Sequence, residues 1–276
     1  MRIALATCRN IPEPDVDEPL MLEAFARAGA DARLLAWDDP DAPFSDYDLV
    51  ILRSTWNYFA ELDSFLAWVD RTPRIRNRAE VVRWSAVKTY LRDLDARGVA
   101  TVPTVFVSRG ESKRLADVPW DDVVVKPLVS AGSFRTERFR RDDPKGQTFL
   151  EELARDCDVM IQKWMAAVDT YGERSLIWID GEITHAIRKS PRFAGGVESV
   201  SETEMPITSE ERAFGERVIA AANVSDLLYG RVDMIQDADG TLRVMELELV
   251  EPSLFFRQSP RALERFVRAS LEHAKR

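Results

Sequence analysis

Four charged residues near the C-terminal end carry the most specific chemical signal in this 276-residue chain. They lie in Tyr229-Gly230-Arg231-Val232-Asp233-Met234-Ile235 and Val244-Met245-Glu246-Leu247-Glu248-Leu249, separated by an Asp239-Gly240 turn signal. Residues two apart on a strand share a face. If both segments are strands of one hairpin, Arg231, Asp233, Glu246 and Glu248 converge on one side, with Val232, Met234, Met245 and Leu247 turned to the core. Carboxylates held this close raise one another's pKa unless a cation neutralises them. An all-oxygen donor set suits Mg2+, which takes one or two carboxylates and fills its shell with water and phosphate oxygens. A solvated strand face of alternating charge has the same pattern, and a single strand would not separate the two.

The lysines add a second signal. Of 38 basic residues only 7 are Lys, and four of these fall in motif-like segments. Lys126 ends an apolar run, Val123–Lys126, just before the small-residue loop Ser130-Ala131-Gly132-Ser133. A cation beside free backbone N–H groups is what a phosphate requires. Lys163 sits in Gln162-Lys163-Trp164-Met165, a polar pair next to two large apolar groups, which suits a flat heteroaromatic ring with edge hydrogen bonds. Lys189 closes the run containing His185, and Lys88 falls in a helical segment. Taken singly, each is equally a surface lysine with a buried stem.

The elements that must position these residues follow from periodicity. Residues 2–8, 32–37 and 49–52 read as apolar strands, and 18–29 and 62–69 as helices between them. Alternation at this pace implies parallel βαβ units, so residues 1 to about 75 form a small α/β domain. Two helical segments follow over 78–97. Further on, 102–107, 123–126, 159–164, 176–179, 183–189, 228–235 and 242–249 read as strands, with helices at 145–155 and 260–273. Asp180-Gly181 is a tight-turn signal, so the later part is α+β with antiparallel hairpins.

Composition and missing motifs exclude much else. The net charge of −9, concentrated in the first 75 residues, argues against a nucleic-acid surface. Two cysteines and two histidines cannot build a disulfide framework or a four-ligand zinc site. No apolar run approaches a membrane span, and the N-terminus carries no signal-peptide pattern, so a cytoplasmic protein without membrane contact is expected. Neither G-x-G-x-x-G nor a Walker loop is present. His185, inside a strand, is expected to be a satisfied structural histidine, and His273 a solvated one. Cys8, at a strand end, reads as a small buried residue.

In this order the pieces resemble an ATP-grasp enzyme over essentially the whole chain. The match runs from Asn77 with Lys88, through Val125-Lys126-Pro127, Ser130–Ser133, Gln162-Lys163-Trp164-Met165, Gly172-Glu173 and Lys189, to Arg231-Val232-Asp233 and Glu246-Leu247-Glu248. It is most similar to the RimK and glutathione-synthetase-like branch. Arg53-Ser54-Thr55-Trp56-Asn57-Tyr58, His185–Lys189 and Glu246–Leu254 narrow it toward the group containing the cyclo-ligase of cycloserine biosynthesis, which acts on O-ureido-serine. The resemblance implies an N-terminal α/β domain (1–77) and an α+β ATP-grasp fold whose two lobes (78–163 and 164–276) clamp ATP. It also implies roles. Lys88, Lys126 and Lys189 hold phosphates, and Ser130, Gly132 and Ser133 close over them. Backbone groups of Lys163 and Met165, with Trp164, meet adenine, Gln162 lies near its amino group, and Glu173 binds the ribose. Asp233, Glu246 and Glu248 hold Mg2+, expected as two ions, and Arg231 stabilises developing charge, with Lys189 beside it as a catalytic group. Gln162 stands where many members have Glu, and Glu248 where many have Asn; both keep an oxygen acceptor. The segment from Ser190 to Gly196 is shorter than the substrate loop of characterised relatives.

The expected chemistry joins a small-molecule carboxylate to an amine through an acylphosphate. Substrate contacts are expected from Arg9, Arg53, Ser54 and Thr55, on loops after the first strands, and from Arg192 and Ser253. Arg53 would pair with a substrate carboxylate or with an acid of its own domain. Three functions fit: a small-substrate ligase, a peptide- or protein-modifying ligase, and a catalytically silent nucleotide-binding module. Relatives suggest a homodimer or tetramer.

Overall fold

The computed structural model describes residues 1–190 and 199–276. Three sheets organise the described residues. The first is parallel, in the order β2-β1-β3-β4, from β1 (Arg2–Thr7), β2 (Asp31–Ala36), β3 (Leu49–Leu52) and β4 (Ile75–Arg76). Helices α1 (Glu18–Arg27) and α2 (Leu62–Arg71) make its crossovers. The inner strands are buried on both faces, as their unbroken apolar runs require.

The second sheet is antiparallel, β5-β8-β6-β7, built from β5 (Thr104–Val107), β6 (Asp122–Pro127), β7 (Glu137–Arg140) and β8 (Val159–Lys163). Helix α5 (Pro144–Asp156) lays Leu150 and Leu153 over Leu115, Val123, Val125 and Ile161, and the short α6 (Ala167–Thr170) follows β8. The short edge strand β7, polar and Arg-rich, was not expected from the sequence because it has no apolar alternation.

The third sheet carries the chemistry. Its order is β11-β10-β9-β12-β13, from β9 (Glu173–Ile179), β10 (Glu182–Ser190), β11 (Ser199–Val200), β12 (Tyr229–Gln236) and β13 (Leu242–Glu248). Asp180 and Gly181 both have positive φ, 41° and 96°, the geometry of a two-residue hairpin whose twist matches its strands. One face packs Leu176, Ala186, Val232, Met234, Val244 and Leu247 against α3 (Ala79–Ser85), α4 (Tyr90–Ala96) and α7 (Ser209–Ala222). Helix α7 is absent from the sequence reading, although Thr208 and Glu211 form a complete capping box at its start. The opposite face changes character along its strands. Ile177, Ile179, Ile187 and Tyr229 join Met21, Phe25 and the Phe266 face of α8 (Pro260–His273) in a core. Beyond them the same face turns polar. Among the described residues no helix is long and apolar enough to cross a membrane.

Candidate active site

Cross-strand register assembles the polar end of that face. Arg231 pairs with Glu248 and Asp233 with Glu246 across β12–β13, while Ser175 faces Asp233 and Glu173 faces Lys189 across the neighbouring strands. Side chains two apart on four strands therefore form one charged patch, as the spacing predicted. Arg231 grips Asp233 through Nε and Nη2, both at 2.9 Å, and reaches Glu248 at 2.5 Å. Its Nη1 donates to the Ser253 carbonyl at 3.1 Å. Lys189 ion-pairs with Asp233 at 3.1 Å and with Glu173. The Ser175 hydroxyl donates to Asp233 at 2.5 Å.

Two lysines reach this patch from other elements. Lys126, at the end of β6, donates to Glu246 at 2.6 Å, and Lys88 approaches its other oxygen at 3.7 Å. Lys88 also donates to the Ser130 carbonyl at 2.8 Å, tying the helical segment to the small-residue loop.

Burial sharpens these charges. Burial disfavours the Glu246 carboxylate, but Lys126 and Lys88 overcome it and hold its pKa down at about 2. Asp233 is likewise held well below the usual carboxylate range, with burial opposed by Arg231 and Lys189. Glu248 is pushed up by burial and by Asp233, against Arg231. Glu251 is pushed up to about 7, chiefly by burial.

The patch is one wall of a cleft of about 500 Å3, a volume suited to a nucleotide-sized ligand. The far end is an apolar slot. Val102, Val124, Trp164, Met165, Val168 and Ile235 pack together there, with Met245 against them. Met245 corrects the sequence reading, which turned it to the core. A β-bulge after Asp233 pairs Met234 with Val244, so Val244 takes the core position and Met245 faces the slot. Gln162 lines the slot, and Lys163 is anchored to Asp237 at 3.2 Å. The roof is the Ser130–Ser133 loop, where Gly132 (φ 57°) and Ser133 (φ 60°) adopt the left-handed region. Phe134, next along, packs on Phe59 of the first domain with ring centroids 4.8 Å apart.

Most residues singled out in the sequence meet here: Lys88, Lys126, Ser130, Gly132, Ser133, Gln162, Lys163, Trp164, Met165, Glu173, Lys189, Arg231, Asp233, Glu246, Glu248 and Ser253 all line the cleft. Four do not. Arg9 lies on the surface, paired with Asp39 at 2.7 Å. Arg53 is fully buried behind the wall, 3.8 Å from Asp15 and 5.8 Å from the Tyr229 ring centre, so the acid of its own domain is its partner. Ser54 donates to Glu18 and accepts from the Thr7 hydroxyl at 2.7 Å, and Thr55 is buried beside it. In the loop after β3 only Ser54 finds hydrogen-bond partners within the first domain; the Arg53 guanidinium nitrogens and the Thr55 hydroxyl are buried without a hydrogen bond among the described residues. Arg192 lies outside the described residues. Glu251, Phe59 and Phe134 also line the cleft and were not expected there. Glu251 was legible as the next acid after the Glu246 and Glu248 pair.

His185 is a satisfied structural histidine, with Nε2 3.0 Å from the Leu254 carbonyl and Nδ1 2.9 Å from the Thr184 hydroxyl. His273 differs from expectation. It is buried, accepts from Arg76 at 3.0 Å and lies 3.3 Å from Asp180, because the inner stripe of α8 turns it under the first domain. Cys8 is buried just after β1, as expected.

The acids fit a divalent ion that is shared with a polyphosphate. Glu246 and Glu248 keep about a quarter of their side chains exposed to the cleft, at 24% and 28%. Asp233 is instead engaged by Arg231, Lys189 and Ser175. Among the described residues no three acids draw close enough to enclose an ion by themselves. Mg2+ takes one or two carboxylates and completes its shell with water and phosphate oxygens.

Comparison with known proteins adds a pedigree. Residues 3–80 match a family described as "D-cycloserine synthetase DcsG, N-terminal domain". The chain is 32% identical to the cycloserine biosynthesis protein DcsG of Streptomyces lavendulae, over 95% of each chain. A crystal structure of D-cycloserine synthetase DcsG superposes with a TM-score of 0.90 at 30% identity, covering 99% of this chain and all of that one. A RimK domain ATP-grasp protein from Sphaerobacter thermophilus gives a TM-score of 0.74 at 18% identity, over 98% of this chain and 100% of the other.

Proposed function

The chain belongs to the ATP-grasp ligases, in the family of the cycloserine biosynthesis protein DcsG, and on that premise we propose that it couples ATP to amide or ring-closing bond formation on a small amino-acid-like carboxylate. One observation supports this most. Three lysines and an arginine meet four acids, Glu173, Asp233, Glu246 and Glu248, on one wall of a cleft whose other end is an apolar slot. Triphosphate charge and a flat base are the two parts such a cleft accommodates.

In this proposal the slot takes the adenine ring, with Gln162, Lys163, Trp164 and Met165 around its edge, and Glu173 takes the ribose. Lys88, Lys126 and Lys189 neutralise the phosphates under the Ser130–Ser133 loop. Glu246 and Glu248, backed by Asp233, would hold Mg2+, which supplies charge neutralisation of the phosphates when bound. The units 1–77, 78–163 and 164–276 serve as the substrate-side domain and the two clamping lobes.

The chemistry follows from leaving groups. A carboxylate has no useful leaving group at neutral pH. Its oxygen attacks the γ-phosphorus, ADP departs, and an acylphosphate forms. An amine or amide nitrogen then attacks the acyl carbon and phosphate leaves. Catalysis consists of positioning and charge stabilisation, and Arg231 is the cation that would stabilise the transferring phosphoryl group and the tetrahedral intermediate. The related protein's name, cycloserine biosynthesis, brings ring closure on an amino-acid derivative within the proposal.

The test is ADP release from Mg-ATP with a panel of amino acids and their derivatives. Substrate-dependent release, lost in Glu246→Gln, with a product lighter than its reactants by one water, supports the ligase. Release only with peptide acceptors moves the reading to a peptide-modifying ligase. Nucleotide binding without turnover on either set overturns it in favour of a silent module.

A further inference from the structure

Gln162 carries an acceptor at one end of its amide and donors at the other, so its orientation decides which purines the slot accepts. Gln162, Thr104 and Val124 occupy one cross-strand row, Gln162 pairing with Thr104 on β5 and Val124 on β6. The Thr104 hydroxyl lies 2.7 Å from the Val102 carbonyl and donates to it, since a carbonyl only accepts. A hydroxyl has one hydrogen. The remaining Thr104 lone pairs can therefore only accept, and the Gln162 atom 3.1 Å away is the amide nitrogen. This assignment rests on the chain of donors, not on the amide's appearance. The Gln162 carboxamide oxygen makes no hydrogen bond among the described residues, and Gln162 lines the slot.

We propose that Thr104 is a specificity-determining positioning residue: through the Val102–Thr104–Gln162 relay it locks the amide with its oxygen toward the slot, selecting a 6-aminopurine nucleotide over a 6-oxopurine one. A 6-amino group donates to that oxygen. A 6-oxo group would set two acceptors against each other, leaving both desolvated and unpaired. A glutamate at position 162 would accept at both ends and need no lock. The inference rests on the reading that the slot holds the base.

The test uses Mg-ATP and Mg-inosine triphosphate, which differ at the 6-position edge, with dissociation constants measured by calorimetry and no second substrate. The wild type is expected to prefer ATP by about tenfold or more, and Thr104→Val to lose most of that preference as the amide becomes free to flip. Thr104→Ser should restore it. In a Gln162→Glu background, Thr104→Val should leave the ratio unchanged. A Thr104→Val ratio equal to wild type, with Gln162→Leu lowering it, overturns the relay alone. A ratio unmoved by Gln162→Leu overturns the placement of the base and the relay with it. A loss in Thr104→Val that Thr104→Ser does not restore also counts against the relay. Urea midpoints for each variant separate misfolding from lost selectivity.

Discussion

Glu246 shows how much a single carboxylate can organise. It is shared between Lys126 at 2.6 Å and Lys88 at 3.7 Å, so it holds together two cations that would otherwise repel. Glu246→Gln is expected to cut substrate-dependent ADP release by roughly 10²-fold or more, and to lower the urea midpoint because Lys126 and Lys88 lose the anion between them. Arg231→Lys should cost more, about 10³-fold, because a lysine cannot replace the two-nitrogen grip on Asp233 together with the Glu248 and Ser253 contacts. Single-turnover ADP formation measures both. His185 gives a pH prediction. Burial lowers its pKa from 6.5 to about 4. Between those values the unfolded chain binds the proton and the fold does not, so stability falls as pH falls through this window, by about 3 kcal/mol. Asp17, raised by burial from 3.8 to about 6, works the other way: its contribution is full below pH 4 and fades as pH rises through 6. Both residues hold one segment, His185 at the Leu254 carbonyl and Asp17 at the Leu254 and Phe256 N–H groups. His185→Gln should therefore gain about 3 kcal/mol relative to wild type as pH drops from 6.5 to 4, read from paired urea titrations.

At the scale of elements, the two hairpins do the aiming. Register across β12–β13 sets Arg231 opposite Glu248 and Asp233 opposite Glu246, and the bulge sends Met245 to the slot without disturbing Val232 and Leu247 in the core. The entry to β9 depends on Gly172. Its φ is +85°, and a Cβ there would collide with the Lys189 carbonyl oxygen. Gly172→Ala must strain the backbone or push β10 away from β9 just where Lys189 meets Glu173. A stability loss of more than about 1 kcal/mol and weaker Mg-ATP binding are expected, checked by urea unfolding and calorimetry on the same preparation.

Across the whole molecule, Asn77 joins the first domain to the catalytic sheet. Fully buried, it donates to the Tyr229 and Leu249 carbonyls at 2.9 and 2.8 Å and accepts from the Leu228 N–H at 2.9 Å. Those three backbone groups belong to the two strands that carry the acids and their approach. Asn77→Ala leaves them unpaired, at about 1–3 kcal/mol each, so a loss of several kcal/mol is expected in urea unfolding. The Phe59–Phe134 contact joins the same domain to the roof of the cleft. The first domain thus touches both the floor and the roof of the site.

The α/β start, the antiparallel hairpins and nearly all of the charged wall were legible in the order of the amino acids. These depend on periods of two and 3.6 and on turn chemistry, which are local. Arg231, Asp233, Glu246 and Glu248 were legible because a period of two leaves no choice of face once the strands exist. Tertiary structure decided the rest. Arg53 and His273 went inward because partners distant in sequence, Asp15 for one and Arg76 and Asp180 for the other, were waiting there. Met245 reached the slot through a bulge, an extra residue that alternation cannot reveal. Gln162 took its orientation from Thr104, 58 residues away, because a hydroxyl has one hydrogen and the Val102 carbonyl had already claimed it.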